Sequence, residues 1–481
     1  MEVSHTWRIS ESAALQQLGQ FVQARQRAWH SGPPGFEEFE RELHQQVMAL
    51  ERELVAAELA RYDVTAEALE VGGVRYQSVL EASETYLSAA GPVSVSRHLY
   101  RPTGHNSRSV CPLELRAGIV AGQWTPQAAR QAAYVSAELS PNAAADLFAE
   151  LGNMQPSRSN LGRLPTTLGA VWEAHRAAWE DSLRAAETVP DAAACVALSV
   201  DGVMVAMKSA AAERQAKKAA AGKHGSGPAG KREVGCATLG LYDAEGERLH
   251  TVRYGRMPEP LKASLQAQLQ AETAGVVGLR PKLRRVHLAD GAQGNWTWLA
   301  EIEQQAGQPT GTWVDIVDFF HACEHLQQGC DAIWGEGTPR GKAEFARLRV
   351  LLKDDPAGRD RIARWFRYHA GRLRGAPQQR LKAEQRYFRN QYDRMNYPTY
   401  QRDHLPIASG VIEATCKTLV TQRLKRSGMA WSIAGGQAIL TFRSLIQSDR
   451  WPRAWNLLAS AFHQPITVLP ATHFHELPCA V

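Results

Sequence analysis

The chain has 481 residues, 44% hydrophobic and 22% charged, too long for one ordinary core, so two to four domains are expected. It carries no run of about 18 apolar residues, and its start, MEVSHTWRISESAAL, lacks a basic segment followed by an apolar one. A membrane-spanning helix and a secretory leader are therefore not expected. Net charge is +6, unevenly spread: residues 341–430 hold 20 Lys and Arg against 8 Asp and Glu, and residues 206–232 hold seven against one. Basic charge gathered in segments suits a polyanion, or simply a solvated helical surface.

Seven cysteines stand at 111, 195, 236, 323, 330, 416 and 479. An odd number without a CxxC pair argues against a disulfide framework and a typical zinc site, and fits a reducing cytoplasm.

Residues 35–62 read as one long helix, with an apolar seam at Phe39, Leu43, Val47, Leu50 and Leu54 that could pair with a second chain or pack on its own domain. From about 70 to 102, short runs bounded by Gly and Pro read as a small β unit. Thr125-Pro126 and Ser140-Pro141 each set an N-cap before a Pro at the first helical position. Two short helices and then a basic segment with Arg158, Asn160 and Arg163 give the layout of a helix-turn-helix, which any small helical domain would share. A helix at 168–188 leads into an α/β region. There ACVALSV is a strand buried on both faces, 206–232 a loop, and 233–255 a hairpin turning at Asp243–Gly246. Next come a helix near 260–275, the strand LRRVHLA, a helix from Asn295 and the strand GTWVDIV. That order suits a five-stranded mixed sheet. Residues 322–400 read as helical and basic, and 408–426 as a further helix opened by Ser409.

The expected segments are an N-terminal helical region (1–66), a β unit (67–112), a helical DNA-binding region (113–189) and a catalytic α/β core (190–330). A basic helical insertion (331–405), a last catalytic helix (406–450) and a tail (451–481) complete the chain.

Asp201 and Asp290 each follow a buried strand and precede a glycine. An acid there costs free energy unless a partner or cation compensates it. Two neighbouring acids suit a pair of Mg²⁺ or Mn²⁺ ions, as phosphodiester chemistry uses, although DG is also a common turn. A third carboxylate is needed. Candidates are Glu344, Asp354, Asp355, Glu384, Asp393, Asp403 and Glu413. Glu413 is chosen because it opens a helix that continues through Lys417, Arg423, Lys425 and Arg426, where the acid could bind metal and the cations phosphate. From position alone Glu413 could equally well complement a helix dipole. In DFFHACEHL, His321 and His325 share a helix face, but the spacing with Cys323 matches no standard zinc set.

The strings LSVDGVMV, HLADGAQGNW, DFFHACEHL and SGVIEATCKTLVTQRLKRSGMAWS, in that order, resemble the Kra-type insertion-sequence transposases, bacterial relatives of the Mutator-like DDE group. The likeness extends upstream through RHLYRP, CPLELRAGIVAGQWTP and PSRSNLGRLP, covering roughly residues 75–455. It implies an RNase H-like fold with a helical insertion before the last acid, Mg²⁺ dependence and binding to terminal inverted repeats. It makes Asp201, Asp290 and Glu413 the first, second and third acids, and gives Asp318 and His321, the group's D-x-x-H signature, a supporting role. Two departures stand out. Val420 occupies the position seven residues after the Glu where many DDE enzymes carry Lys or Arg, so Lys417 or Arg423 would substitute. Of a cysteine-rich knuckle near 101–111, only Cys111 is present. The expected partners are transposon ends, target DNA and a second copy of the chain in a dimer or larger synaptic complex, in a bacterial cytoplasm at the nucleoid. A catalytically silent DNA-binding descendant and a nuclease without strand transfer are the alternatives.

Overall fold

The computed structural model describes residues 12–31, 35–103, 108–208, 230–305 and 312–470. The chain divides into two compact units, Met1–Arg176 with Pro452–Val481, and Ala177–Trp451.

In the first unit, α1 (Ala13–Ala28) is capped by the Ser12 hydroxyl, which accepts from the Leu15 N–H at 3.0 Å. α2 (Phe36–Ala60) carries the expected apolar seam. Part of that seam is covered by α1: the Phe21 and Phe39 rings lie 5.7 Å apart, and Glu53 accepts from the Ala14 N–H at 2.8 Å. Val47 and Leu54 stay exposed. β1 (Ala68–Val71), β2 (Val74–Ser88) and β3 (Gly91–Pro102) form an antiparallel sheet whose Tyr86, Val93 and Val95 pack with Leu59 of α2. α3 (Pro112–Ala117), α4 (Pro126–Glu138) and α5 (Pro141–Leu151) follow, and Ser140 caps α5 through the Ala143 N–H. The basic segment expected to be short opens α6 (Arg158–Ala185), a single helix of 28 residues that runs through Pro165. Leu161, Leu164, Leu168 and Trp172 are buried along it, and this apolar stripe carries the helix past the lost Pro165 hydrogen bond. The segment expected as a tail returns to the sheet. Its strand β9 (Thr467–Val468) pairs with β1, and Ile466 packs against the Leu69–Tyr100 cluster, giving the order β3-β2-β1-β9.

The second unit is an α/β body on a mixed sheet, β4 (Cys195–Ala206), β5 (Lys231–Tyr242), β6 (Arg248–Arg256), β7 (Arg284–Ala289) and β8 (Val314–Val317), in the order β6-β5-β4-β7-β8. The first three strands are antiparallel, and β7 and β8 run parallel to β4. This is the expected five-stranded mixed sheet, and the hairpin turns where Asp243 accepts from the Glu245 and Glu247 N–H groups. α7 (Ala263–Leu279) and α8 (Gln293–Gln305) supply the crossovers. Of the basic stretch 206–232, residues 209–229 lie outside the described residues.

After β8 the chain is helical: α9 (Phe319–Trp334), α10 (Pro339–Asp354), α11 (Gly358–Ala370), α12 (Gly375–Asn390) and α13 (Tyr397–Arg402). Phe366, Leu381 and Phe388 join their apolar faces to the sheet core.

The last segment is less regular than the single helix expected over 408–426. α14 (Gly410–Thr415) widens into a π-helical stretch at Cys416–Thr421 before a final turn, Gln422–Leu424. The cause is local. The Arg443 guanidinium, buried on α15 (Ile433–Gln447), donates to the Thr418 and Leu419 carbonyls, while the Thr415 and Thr418 hydroxyls donate one turn back. Such bulges concentrate at functional sites. The segment lies close on the sheet because Gly255 has no side chain: a Cβ there would stand 2.8 Å from Leu419. α16 (Trp451–Ser460) then leads to β9.

Candidate active site

Strand register sets the site. The β4–β7 pairing ends at Ser199 opposite Leu288, so two residues further Asp201 is level with Asp290. The β7–β8 pairing ends at Ala289 opposite Val317, so Asp318 is level with Asp290 in turn. Three aspartates thus stand in one row at the C-terminal side of three adjacent parallel strands, the usual place for a site in an open α/β sheet. Asp201 is not at the end of its strand, however, because β4 continues to Ala206 paired with β5.

Each acid is held differently. Asp201 Oδ1 accepts from the Gly202 N–H at 2.6 Å, and its Oδ2 accepts from the Cys416 thiol at 3.5 Å, which brings the widened helix over it. Burial pushes the Asp201 carboxyl above its ordinary range, the charge of Asp290 adds to this, and the Gly202 N–H and the Cys416 thiol oppose it. Asp290 Oδ1 accepts from the Ala292 N–H at 2.9 Å and from Asn295 Nδ2 at 3.0 Å.

Asp318 is buried and fully used. One oxygen caps α9 through the His321 N–H at 2.6 Å, and the other accepts from the Ser409 N–H, directly ahead of α14. It therefore ties β8 to the helix that carries Glu413. The Glu413 carboxylate is exposed and has no hydrogen-bond or ion-pair partner among the described residues. Partial desolvation by the surrounding protein raises its carboxyl even so, the charges of Asp318, Glu324 and Asp201 raise it further, and His321 opposes them. The five expected residues therefore share one electrostatic neighbourhood.

Sequence reasoning missed the support beneath Asp290. The Tyr387 hydroxyl on α12 donates to the Asp290 carbonyl at 2.8 Å, and Gln391 Nε2 donates to the Gly291 carbonyl at 2.7 Å. Gln391 is itself fixed, because its Oε1 accepts from Trp296 Nε1 at 3.1 Å and from Arg394 at 3.3 Å. Gly291 has φ +95°, and a Cβ there would stand 2.9 Å from the Tyr387 ring. The His325 ring stacks on Tyr387 with centroids 3.6 Å apart and hydrogen-bonds Glu384 at 2.5 Å, while His321 lies edge-on to His325 at 5.0 Å. The HxxxH spacing was visible; nothing in the sequence paired Tyr387 or Gln391 with a turn about a hundred residues earlier.

The expected DNA contacts divide. Lys417, Lys425 and Arg426 are exposed beside the last helix. Arg423 is a correction: it is buried, with its guanidinium 5.2 Å from the Trp431 ring centroid, so it packs rather than presenting charge to phosphate. Val420 is likewise buried. In the first unit Arg158 and Arg163 are exposed at the start of α6, Arg158 facing Asp146 at 3.6 Å.

The acids offer oxygen donors only, which is the chemistry of a hard divalent cation, and their mutual repulsion leaves room for positive charge. Among the described residues no three His, Cys, Asp or Glu side chains stand close enough to hold one ion together.

No family model and no curated protein matches the chain. Among solved structures, it is similar to a chain of the Drosophila P element transposase strand transfer complex, at 13% identity over 71% of this chain and 82% of that one, with a TM-score of 0.24.

Proposed function

We propose that the chain is a DDE transposase of RNase H-like fold, with Asp201, Asp290 and Glu413 as its catalytic acids. The observation that carries this reading is the common level of Asp201, Asp290 and Asp318 on three adjacent parallel strands, with the helix that carries Glu413 tied to Asp318 through the Ser409 N–H and to Asp201 through the Cys416 thiol. The strand order β6-β5-β4-β7-β8 and the helical segment ahead of Glu413 support it, as do the motifs resembling the Kra-type enzymes.

Asp201, Asp290 and Glu413 would hold two Mg²⁺ or Mn²⁺ ions, which when bound activate the attacking water or 3′-hydroxyl and stabilise the leaving oxygen. Asp318 sets the start of α14 and so the height of Glu413, and His321 moderates the negative charge around Glu413. Lys417, Lys425 and Arg426 hold backbone phosphates, as do Arg158 and Arg163 in the first unit. The reaction is hydrolysis at the transposon end followed by joining of the 3′-hydroxyl to target DNA, in a dimer or larger complex that holds both ends.

The test is strand joining. Pre-cut DNA ending in the inverted repeat that flanks the gene, incubated with supercoiled plasmid, protein and Mg²⁺, is expected to give plasmid joined to the 3′ end. Cleavage of uncut ends without joined product would favour a nuclease. A silent DNA-binding protein is the remaining reading. Binding with neither reaction would establish that reading.

A further inference from the structure

The support of Asp290 continues beyond Tyr387. His325 on α9 lays its ring on the Tyr387 ring, with centroids 3.6 Å apart and 20° between the planes. His325 Nδ1 donates to Glu384 Oε2 at 2.5 Å, and both side chains are largely buried. Glu384 precedes Tyr387 by three residues on the same helix, which puts the two side chains on one face. Thus α12 supplies both the carboxylate that orients the imidazole and the tyrosine that the imidazole covers. At its edge the Tyr387 ring meets Gly291, where a Cβ would stand 2.9 Å from the ring, and its hydroxyl reaches the Asp290 carbonyl at 2.8 Å. Stacked ring, close backbone and hydrogen bond together leave Tyr387 one placement.

Helix packing does not call for the His325–Glu384 pair. Leu326, Cys330, Leu381 and Phe388, all buried, already join α9 and α12 to the core. An apolar side chain at 325 would extend that packing without the desolvation that a buried polar pair costs. What a hydrogen-bonded ring adds is a fixed plane. His321, one turn earlier, stands edge-on to His325 at 5.0 Å and to Tyr387 at 6.1 Å. The stack therefore extends to the histidine beside Glu413.

We propose that His325 is a positioning residue of the active site: Glu384 fixes its ring, the ring fixes Tyr387, and Tyr387 fixes the Asp290 turn. This rests on the reading of Asp290 as a catalytic acid. It adds two residues, one on each of two helices, that touch neither substrate nor metal and act only through Tyr387.

The test has two readouts. Hydrogen exchange of the peptide that contains the Ala292 amide, which donates to the Asp290 carboxylate, reports the turn without any need for activity. Cleavage of repeat-end DNA in Mg²⁺, split into kcat and KM, reports its use. His325→Ala is expected to speed that exchange about fivefold or more, as local opening becomes easier. It should lower kcat about tenfold or more at unchanged KM, as a displaced catalytic group does. Glu384→Ala should do the same, and Glu384→Gln, which still accepts the hydrogen bond, should restore most of both. That pair decides the matter if His325→Ala folds poorly. In the Tyr387→Phe background, His325→Ala should lower kcat by less than about twofold more, because the two residues act in series. Unchanged exchange, a loss in KM instead of kcat, no rescue by Glu384→Gln, or full additivity with Tyr387→Phe would each overturn the proposal. Wild-type protein that never cuts would sink the reading of Asp290 as catalytic, while the exchange result would still decide whether His325 holds the turn.

Discussion

At the scale of single residues, the Asp290 turn is the most informative place in the chain. Two carbonyls in succession are held from α12 and its C-cap, one by Tyr387 and one by Gln391, and Gly291 permits the backbone to pass under the Tyr387 ring. Tyr387→Phe removes one hydrogen bond, worth about 1 kcal/mol of stability. We expect it to slow cleavage at least tenfold while the KM for DNA stays the same, because the loosened aspartate loses position rather than affinity. Gly291→Ala should destabilise the fold by about 1–3 kcal/mol through the positive φ and the ring contact, read as a lower urea midpoint. The common level of Asp201 and Asp290 could be anticipated because each follows a buried apolar run, whereas the supports of Asp290 could not, since a tyrosine in a basic helix carries no local sign of its partner.

Asp315 offers a test of charge at the same scale. Burial alone would raise its carboxyl, but hydrogen bonds and charge from His287 and Arg394 outweigh that and hold it below the ordinary value. A carboxylate lowered on folding stabilises the protein above its unfolded pKa, about 3.9, and that contribution is lost as pH falls through the folded value. Asp315→Asn should therefore unfold at lower urea than the parent at pH 6. Urea titrations at pH 6 and near pH 3 should show the gap closing at the lower pH; a constant gap would show that the carboxylate charge is not what Asp315 contributes.

Among elements, the second unit is fastened by a buried ionic group. Arg450, after α15, donates to Glu187, to Glu272 on α7 at 2.7 Å and to the Tyr254 hydroxyl on β6 at 2.8 Å, while Tyr254 donates to Glu272 at 2.6 Å. Removing one partner of such a group leaves charge buried without compensation, so Arg450→Met should cost about 3–5 kcal/mol in equilibrium unfolding. The strands and crossover helices of this unit were readable from hydrophobic period and turn residues, and the order of elements matches expectation from 195 to 402. The irregular last helix was not readable, because its π-helical stretch depends on Arg443 reaching back some two dozen residues to two carbonyls. The same packing logic buries Arg423, which its place in a basic run had marked as a phosphate contact.

At the scale of the molecule, length led to an expectation of two to four domains, and the chain divides into two compact units; nothing pointed to the chain's return, in which β9 joins a sheet begun some four hundred residues earlier. Two-residue strands leave no pattern to read. The local excess of basic charge over 341–430 resolves into exposed side chains on α10, α11 and α12 and at Lys417, Lys425 and Arg426, so binding to DNA should weaken steeply as salt rises. Asp201, Asp290 and Glu413 are proposed to make a metal-dependent DNA-cutting site. Labelled DNA ending in the flanking inverted repeat, incubated with purified protein in Mg²⁺ or Ca²⁺, tests it most directly, with Asp290→Ala as control. Cleavage is expected at the repeat tip in Mg²⁺ but not Ca²⁺, abolished in Asp290→Ala while binding persists. Cleavage that survives Asp290→Ala, or wild-type protein that binds the ends and never cuts them, would contradict it.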